Sequence, residues 1–298
     1  MDTPTARLRR LLARPGLRVM PCCFDALSAR LIERAGFELT FMSGFAVSAA
    51  RLGLPDTGLI SYGEMVEQGR SLCAAVSIPV IGDGDTGYGN PMNVRRTVAG
   101  YAAAGFASVM IEDQLAPKRC GHTRGKSVVS REEALVRVRA AVDAREQGAD
   151  LLVLARTDAR APLGLDEAIW RGRAFADLGA DIVFVEAPRS EAEMQRICQE
   201  IPAPQLANLV EGGDTPVLPP ARLEALGFRI AAYPLTLLSS AARAMQDALA
   251  ALARGEAPTR LLGFDELRAL VGFDDYDAAL ARYGEGDPSG AEFSIKRR

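Results

Sequence analysis

Five times along the chain a glycine stands just ahead of an apolar run: Gly36 before residues 39–42, Gly105 before 108–111, Gly148 before 151–155, Gly179 before 182–185, and Gly227 before Ile230. Glycine accepts the left-handed conformation that ends a helix, so each of these reads as a helix stop followed by a strand. The runs do not alternate polar with apolar, which suits parallel strands covered on both faces. Pro79-Val80-Ile81 and Pro204-Gln205-Leu206-Ala207 are weaker copies of the same unit. Helix starts lie between the runs: Ser61 with Glu64, Ser130 with Glu133 and Ser190 with Glu193 each have the spacing of a capping box. Apolar positions follow at helical spacing, and they place Cys73 and Cys198 in the core.

Eight strands are expected, ending near Cys22, Ser43, Asp83, Glu112, Arg156, Glu186, Asn208 and Tyr233, each followed by a helix. That pattern predicts an α/β fold of the (β/α)8 TIM-barrel type over residues 1–256. A doubly wound sheet is disfavoured because no Gly-rich dinucleotide fingerprint follows the first strand. Residues 257–298 read as an extra C-terminal helical segment, part of the same domain or of an oligomer interface, ending in the solvated Lys296-Arg297-Arg298.

Of the 298 residues 48% are apolar, enough for a large core, and the net charge of -3 argues against nucleic acid as a partner. The uncharged stretch 230–242 is too short to span a bilayer and contains Pro234, so no membrane span is expected. The 5 cysteines, with Cys22 and Cys23 adjacent, read as reduced thiols of a cytoplasmic protein. Arg7, Arg9, Arg10 and Arg14 allow a transit peptide, but an amphipathic surface helix explains Leu8, Leu11 and Leu12 equally well.

Polar residues recur where the apolar runs end: Asp83 and Asp85, Glu112 and Asp113, Arg156 and Asp158, Glu186, and Asn208. In a barrel these ends share one rim, where active sites are built. Asp83 and Asp85 are two apart and can share an oxygen-seeking cation with help from Glu112. Alone, an Asp-x-Asp pair is more often loop capping; convergence with Glu112 and Glu186 favours a metal. The Gly82–Asn90 glycine-rich turn lacks the Lys-Ser/Thr ending of a phosphate loop. Residues 114–129 have no periodicity, the mark of a functional lid. They contain Lys118-Arg119-Cys120-Gly121-His122 and then Arg124-Gly125-Lys126, with His122 the single histidine. Four cations around Cys120 would favour its thiolate and make it a proton donor or nucleophile; the plainer alternative is an exposed basic loop with an incidental thiol.

Taken together, Ser43-Gly44, Asp56, Asp83-Gly84-Asp85-Thr86-Gly87, Glu112-Asp113, Lys118 to His122, Ala155-Arg156-Thr157-Asp158, Val185-Glu186-Ala187-Pro188 and Asn208 resemble the isocitrate lyase and phosphoenolpyruvate mutase superfamily. The likeness runs from about Arg18 to Ala253. Its Cys-Gly-His loop resembles that of the carbon-carbon lyase branch, and the segments 43–50 and 208–213 are most similar to the 2,3-dimethylmalate lyase and petal death protein group. The resemblance implies cleavage of a 2-hydroxy dicarboxylate, with Mg2+ or Mn2+ held by Asp83, Asp85 and Glu112. It implies Cys120 as the acid tuned by His122, and Arg156 as the cation that holds the developing enolate. Ser43, Gly44, Phe45, Asp56, Gly121, Arg156, Glu186 and Asn208 are the implied substrate contacts, and a homotetramer that exchanges C-terminal helices is the implied assembly. Methylisocitrate lyase, oxaloacetate hydrolase and phosphoenolpyruvate phosphonomutase remain alternatives on the same fold, as does a silent scaffold.

Two departures from the family pattern stand out. A tyrosine that precedes the Ser-Gly pair in methylisocitrate lyases is Phe41 here, which leaves the base for the 2-hydroxyl unassigned between Asp56 and Glu112 acting through water. An arginine that those enzymes place six residues past the tyrosine of a Tyr-Pro-Leu segment is Ser239 here, with Arg243 one turn beyond it.

Overall fold

The computed structural model describes residues 2–120 and 125–283. Eight parallel strands follow in chain order: β1 (Arg18–Cys23), β2 (Thr40–Met42), β3 (Val80–Asp83), β4 (Ser108–Glu112), β5 (Leu152–Thr157), β6 (Ile182–Val185), β7 (Leu206–Asn208) and β8 (Ile230–Tyr233). They pair in sequence order, β1 also pairs with β8, and a parallel bridge between Val183 and Gln205 links β6 to the approach of β7. The result is the expected (β/α)8 barrel. The helices are α1 (Pro4–Ala13), α2 (Ala26–Arg34), α3 (Gly44–Val47), α4 (Tyr62–Ala75), α5 (Pro91–Ala104), α6 (Arg131–Glu146), α7 (Arg160–Leu163), α8 (Leu165–Asp177), α9 (Glu191–Glu200), α10 (Pro220–Leu226), α11 (Thr236–Ala253), α12 (Phe264–Val271) and α13 (Phe273–Ala281). Contacts divide the chain into a unit ending at Ala241, which holds the barrel, and a unit from Ala242 onward. The second unit carries α12 and α13, and Lys296-Arg297-Arg298 lie outside the described residues.

The local signals act as their chemistry predicts. Gly36, Gly105, Gly148, Gly179 and Gly227 all have positive φ, between 85° and 111°. Ser61 and Glu64 form a full capping box. Ser130 and Ser190 cap their helices too, but their glutamates turn elsewhere: Glu133 pairs with Arg137, and Glu193 with Arg160 at 2.9 Å. A guanidinium outbids the single backbone N–H as a partner for a carboxylate.

Side chains two apart along each strand share a face. The inward set, including Met20, Cys22, Leu39, Phe41, Met110, Leu154, Phe184 and Ala232, packs as one cluster. The outward set, including Val80, Val109, Ile111, Val153 and Val183, packs with the helices as another. Leu8 and Leu11 of α1 belong to the inward cluster. Polar ties fix α1 beside the strand starts: the Thr5 hydroxyl donates to the Asp150 carbonyl, and Arg229 donates to the Leu12 carbonyl. The amphipathic helix is therefore more than a surface element. It seals the barrel at the end opposite the rim, and burying Leu8 contributes about 2 kcal/mol. Cys73 and Cys198 are half-buried against the core, and burial pushes both thiols up to about 12.

Candidate active site

Each inward column ends in polar residues at the rim. Ser43, Asp83, Arg156, Glu186 and Asn208 line one cleft with Asp56, Lys118, Arg119 and Cys120. The same cleft is lined by Cys22, Phe41, Phe45, Met110, Phe184, Leu206, Val210, Ala232, Pro234 and Leu235. Asp85 and Glu112 sit behind this lining and bond to it through Lys118 and Arg156. Gly121 and His122 lie outside the described residues.

The turn after β3 is stitched onto β4. Gly84 N–H donates to the Met110 carbonyl and Glu112 N–H to the Asp85 carbonyl, both at 2.9 Å. Asp85 itself has φ +49°, a conformation few non-glycine residues adopt, and its N–H donates to Asp83 Oδ1 at 3.0 Å. The strain is local and holds both carboxylates at the rim. Gly44 N–H donates to Asp83 Oδ2 at 3.2 Å, and a Cβ on Gly44 would lie 2.4 Å from that oxygen. Gly44→Ala is therefore expected to push Asp83 aside and lower activity at least tenfold with little loss of Tm, and activity assays with thermal melts check this.

Lys118 closes this group from the lid. Its ammonium lies 2.7 Å from Asp56 Oδ1 and 2.6 Å from Asp85 Oδ1, with every partner about 95% buried. Burial raises the Asp85 carboxyl, Lys118 only partly offsets this, and the Asp83 and Asp56 charges add to it, leaving Asp85 at about 7. Burial would lower the Lys118 ammonium, but the surrounding Asp85, Asp83 and Asp56 carboxylates hold it well above the usual lysine range.

Arg156 is the second centre. Its Nε lies 2.8 Å from Asp158 Oδ2 and 3.3 Å from Glu112 Oε2, its Nη2 lies 2.9 Å from Glu186 Oε2, and its guanidinium covers the Phe184 ring. Lys126 Nζ lies 2.8 Å from the other oxygen of Asp158. Burial alone would raise the Asp158 carboxyl, but Arg156 and Lys126 hold it below the usual range. Burial raises the Glu112 carboxyl well above its usual range despite Arg156. Asn208 donates to Glu186 at 3.3 Å, and Ala187, at φ +56°, turns its N–H onto Glu186 Oε1.

One alternative needs correction. Within the described part of the 114–129 segment, Lys118 and Lys126 are not exposed basic side chains but are buried in ion pairs, while Arg119 is exposed. Both cations lie against carboxylates, at 2.6 to 2.8 Å. Cys120 remains on the cleft wall, half-buried. Ser239 is exposed, and Arg243 pairs with Asp247 at 3.2 Å. Sequence reasoning noted Lys118, Lys126 and Asp158 but gave them no role in the site, although four cations in an aperiodic segment without a carboxylate were a signal for the two lysines.

The rim cluster holds six buried carboxylates, Asp56, Asp83, Asp85, Glu112, Asp158 and Glu186, against three buried cations, Lys118, Lys126 and Arg156, with Asp113, Arg137 and Arg171 buried beside it. Glu112 Oε1 is buried without a hydrogen-bond partner. Among the described residues no three His, Cys, Asp or Glu side chains form a ready cage for direct ligation. Excess negative charge with oxygen-only donors fits a hard divalent cation that keeps most of its waters, as Mg2+ does.

The pattern of the phosphoenolpyruvate phosphomutase family matches residues 8–253. The chain belongs to this family. It is 43% identical to the 2,3-dimethylmalate lyase of Eubacterium barkeri over 94% of this chain and 98% of that one. A crystal structure of 2,3-dimethylmalate lyase, a member of the PEP mutase/isocitrate lyase superfamily, superposes with a TM-score of 0.91 at 36% identity, covering 98% of this chain and 100% of that one. An oxaloacetate acetylhydrolase holding 3,3-difluorooxalacetate matches with the same TM-score and identity, over 98% and 99% of the two chains. The family resemblance drawn from the motifs is thereby confirmed, and the chain is an enzyme of this superfamily.

Proposed function

We propose that this enzyme is a Mg2+-dependent carbon-carbon lyase that cleaves a 2-alkylmalate, such as 2,3-dimethylmalate, to a 2-oxo acid and a carboxylic acid. The observation that carries this is the division of the cleft between a dense ionic set and ten apolar side chains, with few cations to spare. Of the lining cations, Lys118 and Arg156 are already in buried ion pairs, while Arg119 is exposed at the cleft. One such cation suits one carboxylate beyond the group held at a metal. Phe45, Val210 and Leu235 suit an alkyl substituent.

Asp83, Asp85 and Glu112 would hold Mg2+, mainly through waters, with Mn2+ able to replace it. The ion, when bound, supplies Lewis acidity to the 2-oxygen and its adjacent carboxylate. Glu112 takes the proton of the 2-hydroxyl on its Oε1, while both Asp56 oxygens stay occupied by Lys118, at 2.7 and 2.8 Å. The C2–C3 bond breaks as the 2-oxygen forms its carbonyl, and the bonding pair moves into the departing fragment as an enolate of its carboxylate. Arg156, which lines the cleft with Ser43, faces that charge. The Cys120 thiol gives its proton to C3, completing the carboxylic acid, and the proton that Glu112 took from the 2-hydroxyl returns through solvent to the Cys120 thiolate. The roles of His122 in tuning that thiol and of Gly121 in binding substrate rest on the family resemblance alone. Ser43, Phe45, Asp56, Glu186 and Asn208 position the substrate.

The assembly supports a further part of this reading. In the unit from Ala242, Met245, Leu249, Leu252, Phe264 and Tyr276 are each more than half exposed. Apolar surface on that scale marks an interface, in keeping with a homotetramer that exchanges C-terminal helices. The five cysteines are all thiols, which supports a cytoplasmic location.

A third carboxylate on the substrate would enter the cleft without a cation, at a cost of several kcal/mol. The expected result is a kcat/KM for 2,3-dimethylmalate at least tenfold above that for methylisocitrate. A product screen over 2-alkylmalates, citramalate, methylisocitrate, isocitrate, oxaloacetate and phosphonopyruvate tests the assignment. A tenfold preference for methylisocitrate would overturn it and show that a further cation holds the third carboxylate; turnover of phosphonopyruvate alone would place the enzyme with the phosphomutases.

A further inference from the structure

The segment that carries Lys118 and Cys120 leaves the barrel just after β4. Its first residue past the Glu112-Asp113 pair is Gln114, a long polar side chain in a residue only 1% exposed. A buried primary amide must find partners for its carbonyl and its NH2 group, or its burial is unfavourable. Gln114 finds them on a single residue. Its Nε2 donates to the Arg119 carbonyl at 2.9 Å, and its Oε1 accepts from the Arg119 N–H at 3.0 Å. The side chain thus pairs with both backbone groups of Arg119, as a neighbouring strand would.

The clasp has a fixed base. The Gln114 backbone is bridged to Val128, Leu115 N–H donates to the Ser127 carbonyl, and the Gln114 and Glu112 carbonyls both accept from Arg137 Nη1, at 2.9 and 2.7 Å. Arg137 is itself buried on α6 and tied to Glu133. On the other stem, Arg171 of α8 donates to the Val129 carbonyl and to Asp113 Oδ2. Residues 112–114 and 128–129 are therefore part of the rigid barrel, and Gln114 extends that rigidity to Arg119.

We infer that Gln114 is a positioning residue: its two-point clasp on the Arg119 backbone sets where Lys118 and Cys120, the residues on either side, meet the cleft. Lys118 must reach both Asp56 and Asp85, and Cys120 must stand at the cleft wall; one fixed peptide between them serves both. Proton transfer demands donor and acceptor within hydrogen-bond reach, so a loose peptide at this point lowers turnover more than binding. The inference rests on the proposed role of Cys120, but the clasp can be tested without substrate.

The test uses the full-length enzyme with Gln114→Met, which keeps the volume and removes both bonds, and Gln114→Glu, which keeps the acceptor for Arg119 N–H. In substrate-free protein, iodoacetamide labelling followed by peptide mass spectrometry reads every thiol separately. Gln114→Met is expected to speed labelling of Cys120 at least fivefold and leave Cys23 and Cys73, which pack in the outer core, unchanged. With 2,3-dimethylmalate, kcat is expected to fall at least tenfold with KM within about threefold, and Gln114→Glu to lie between. Labelling of Cys120 within twofold of the parent would overturn the clasp. So would faster labelling of Cys23 and Cys73 in step with Cys120, since that reports general loosening. If 2,3-dimethylmalate is not cleaved by the parent enzyme, the proposed reaction fails while the labelling result still decides the clasp.

Discussion

Cys120→Ser is expected to lower kcat about a thousandfold while the fold and Mg2+ affinity hold, because general acid catalysis of this kind contributes roughly 10²–10⁴. The hydroxyl is close to the thiol in shape and far weaker as an acid, so it fills the same place on the cleft wall and delivers the proton poorly. Cys73→Ser and Cys198→Ser are the controls. Both thiols are half-buried against the core, where burial pushes them up to about 12, so neither ionises at working pH. Those variants are expected to lose about 1 kcal/mol of stability through a poorly satisfied hydroxyl, with kcat unchanged. Steady-state kinetics beside thermal melts decide the matter: equal activity losses in all three would remove any special role for Cys120.

Asp85→Ala is expected to abolish Mg2+-supported turnover, since several kcal/mol of transition-state stabilisation goes with the metal. The loss has a second part, because Lys118 then loses its ion pair with Asp85 and keeps the one with Asp56 at 2.7 Å. Full activity in this variant, or in protein stripped with EDTA, would show the metal assignment to be wrong. The pH dependence gives an independent check. Asp85 lies at about 7 through burial, above the usual carboxylate value, so the metal-free enzyme holds a proton there that Mg2+ must displace. Mg2+ affinity by calorimetry is therefore expected to fall about tenfold from pH 8 to pH 6, and the same carboxyl lowers stability as pH rises from about 4 through 7. In Asp85→Asn both dependences should flatten.

The strand ends were legible because glycine stops, serine caps and apolar runs are local signals, and a barrel sends every strand end to one rim. Asp83, Glu112, Arg156, Glu186 and Asn208 could be picked out on that ground alone. The direction each strand residue faces was not legible. With both faces of the sheet buried, Cys22 and Cys23 look alike in sequence, yet Cys22 lines the cleft and Cys23 packs toward the helices. The partners of Lys118 and Lys126 were also hidden, since Asp56 lies 62 residues from Lys118 and Asp158 lies 32 from Lys126. Periodicity carries no information over such separations, and the segment that joins them has none. Gln114 was passed over for a related reason: a side chain that mimics a strand leaves no pattern of its own.

The inward columns of the barrel have a practical consequence. Phe41 stands two residues before Ser43, Phe184 two before Glu186, and Leu206 two before Asn208, so each reactive position has a spacer directly beneath it on the same strand. Trimming or enlarging a spacer alters how deep a molecule can sit without changing the groups that act on it. Cys22 and Ala232, small residues on the adjoining β1 and β8, mark where the floor is already shallowest in bulk. The barrel in this way separates reach from reactivity, and a redesign for longer or bulkier acids would begin at Phe41 and Phe184 while leaving the ionic rim intact.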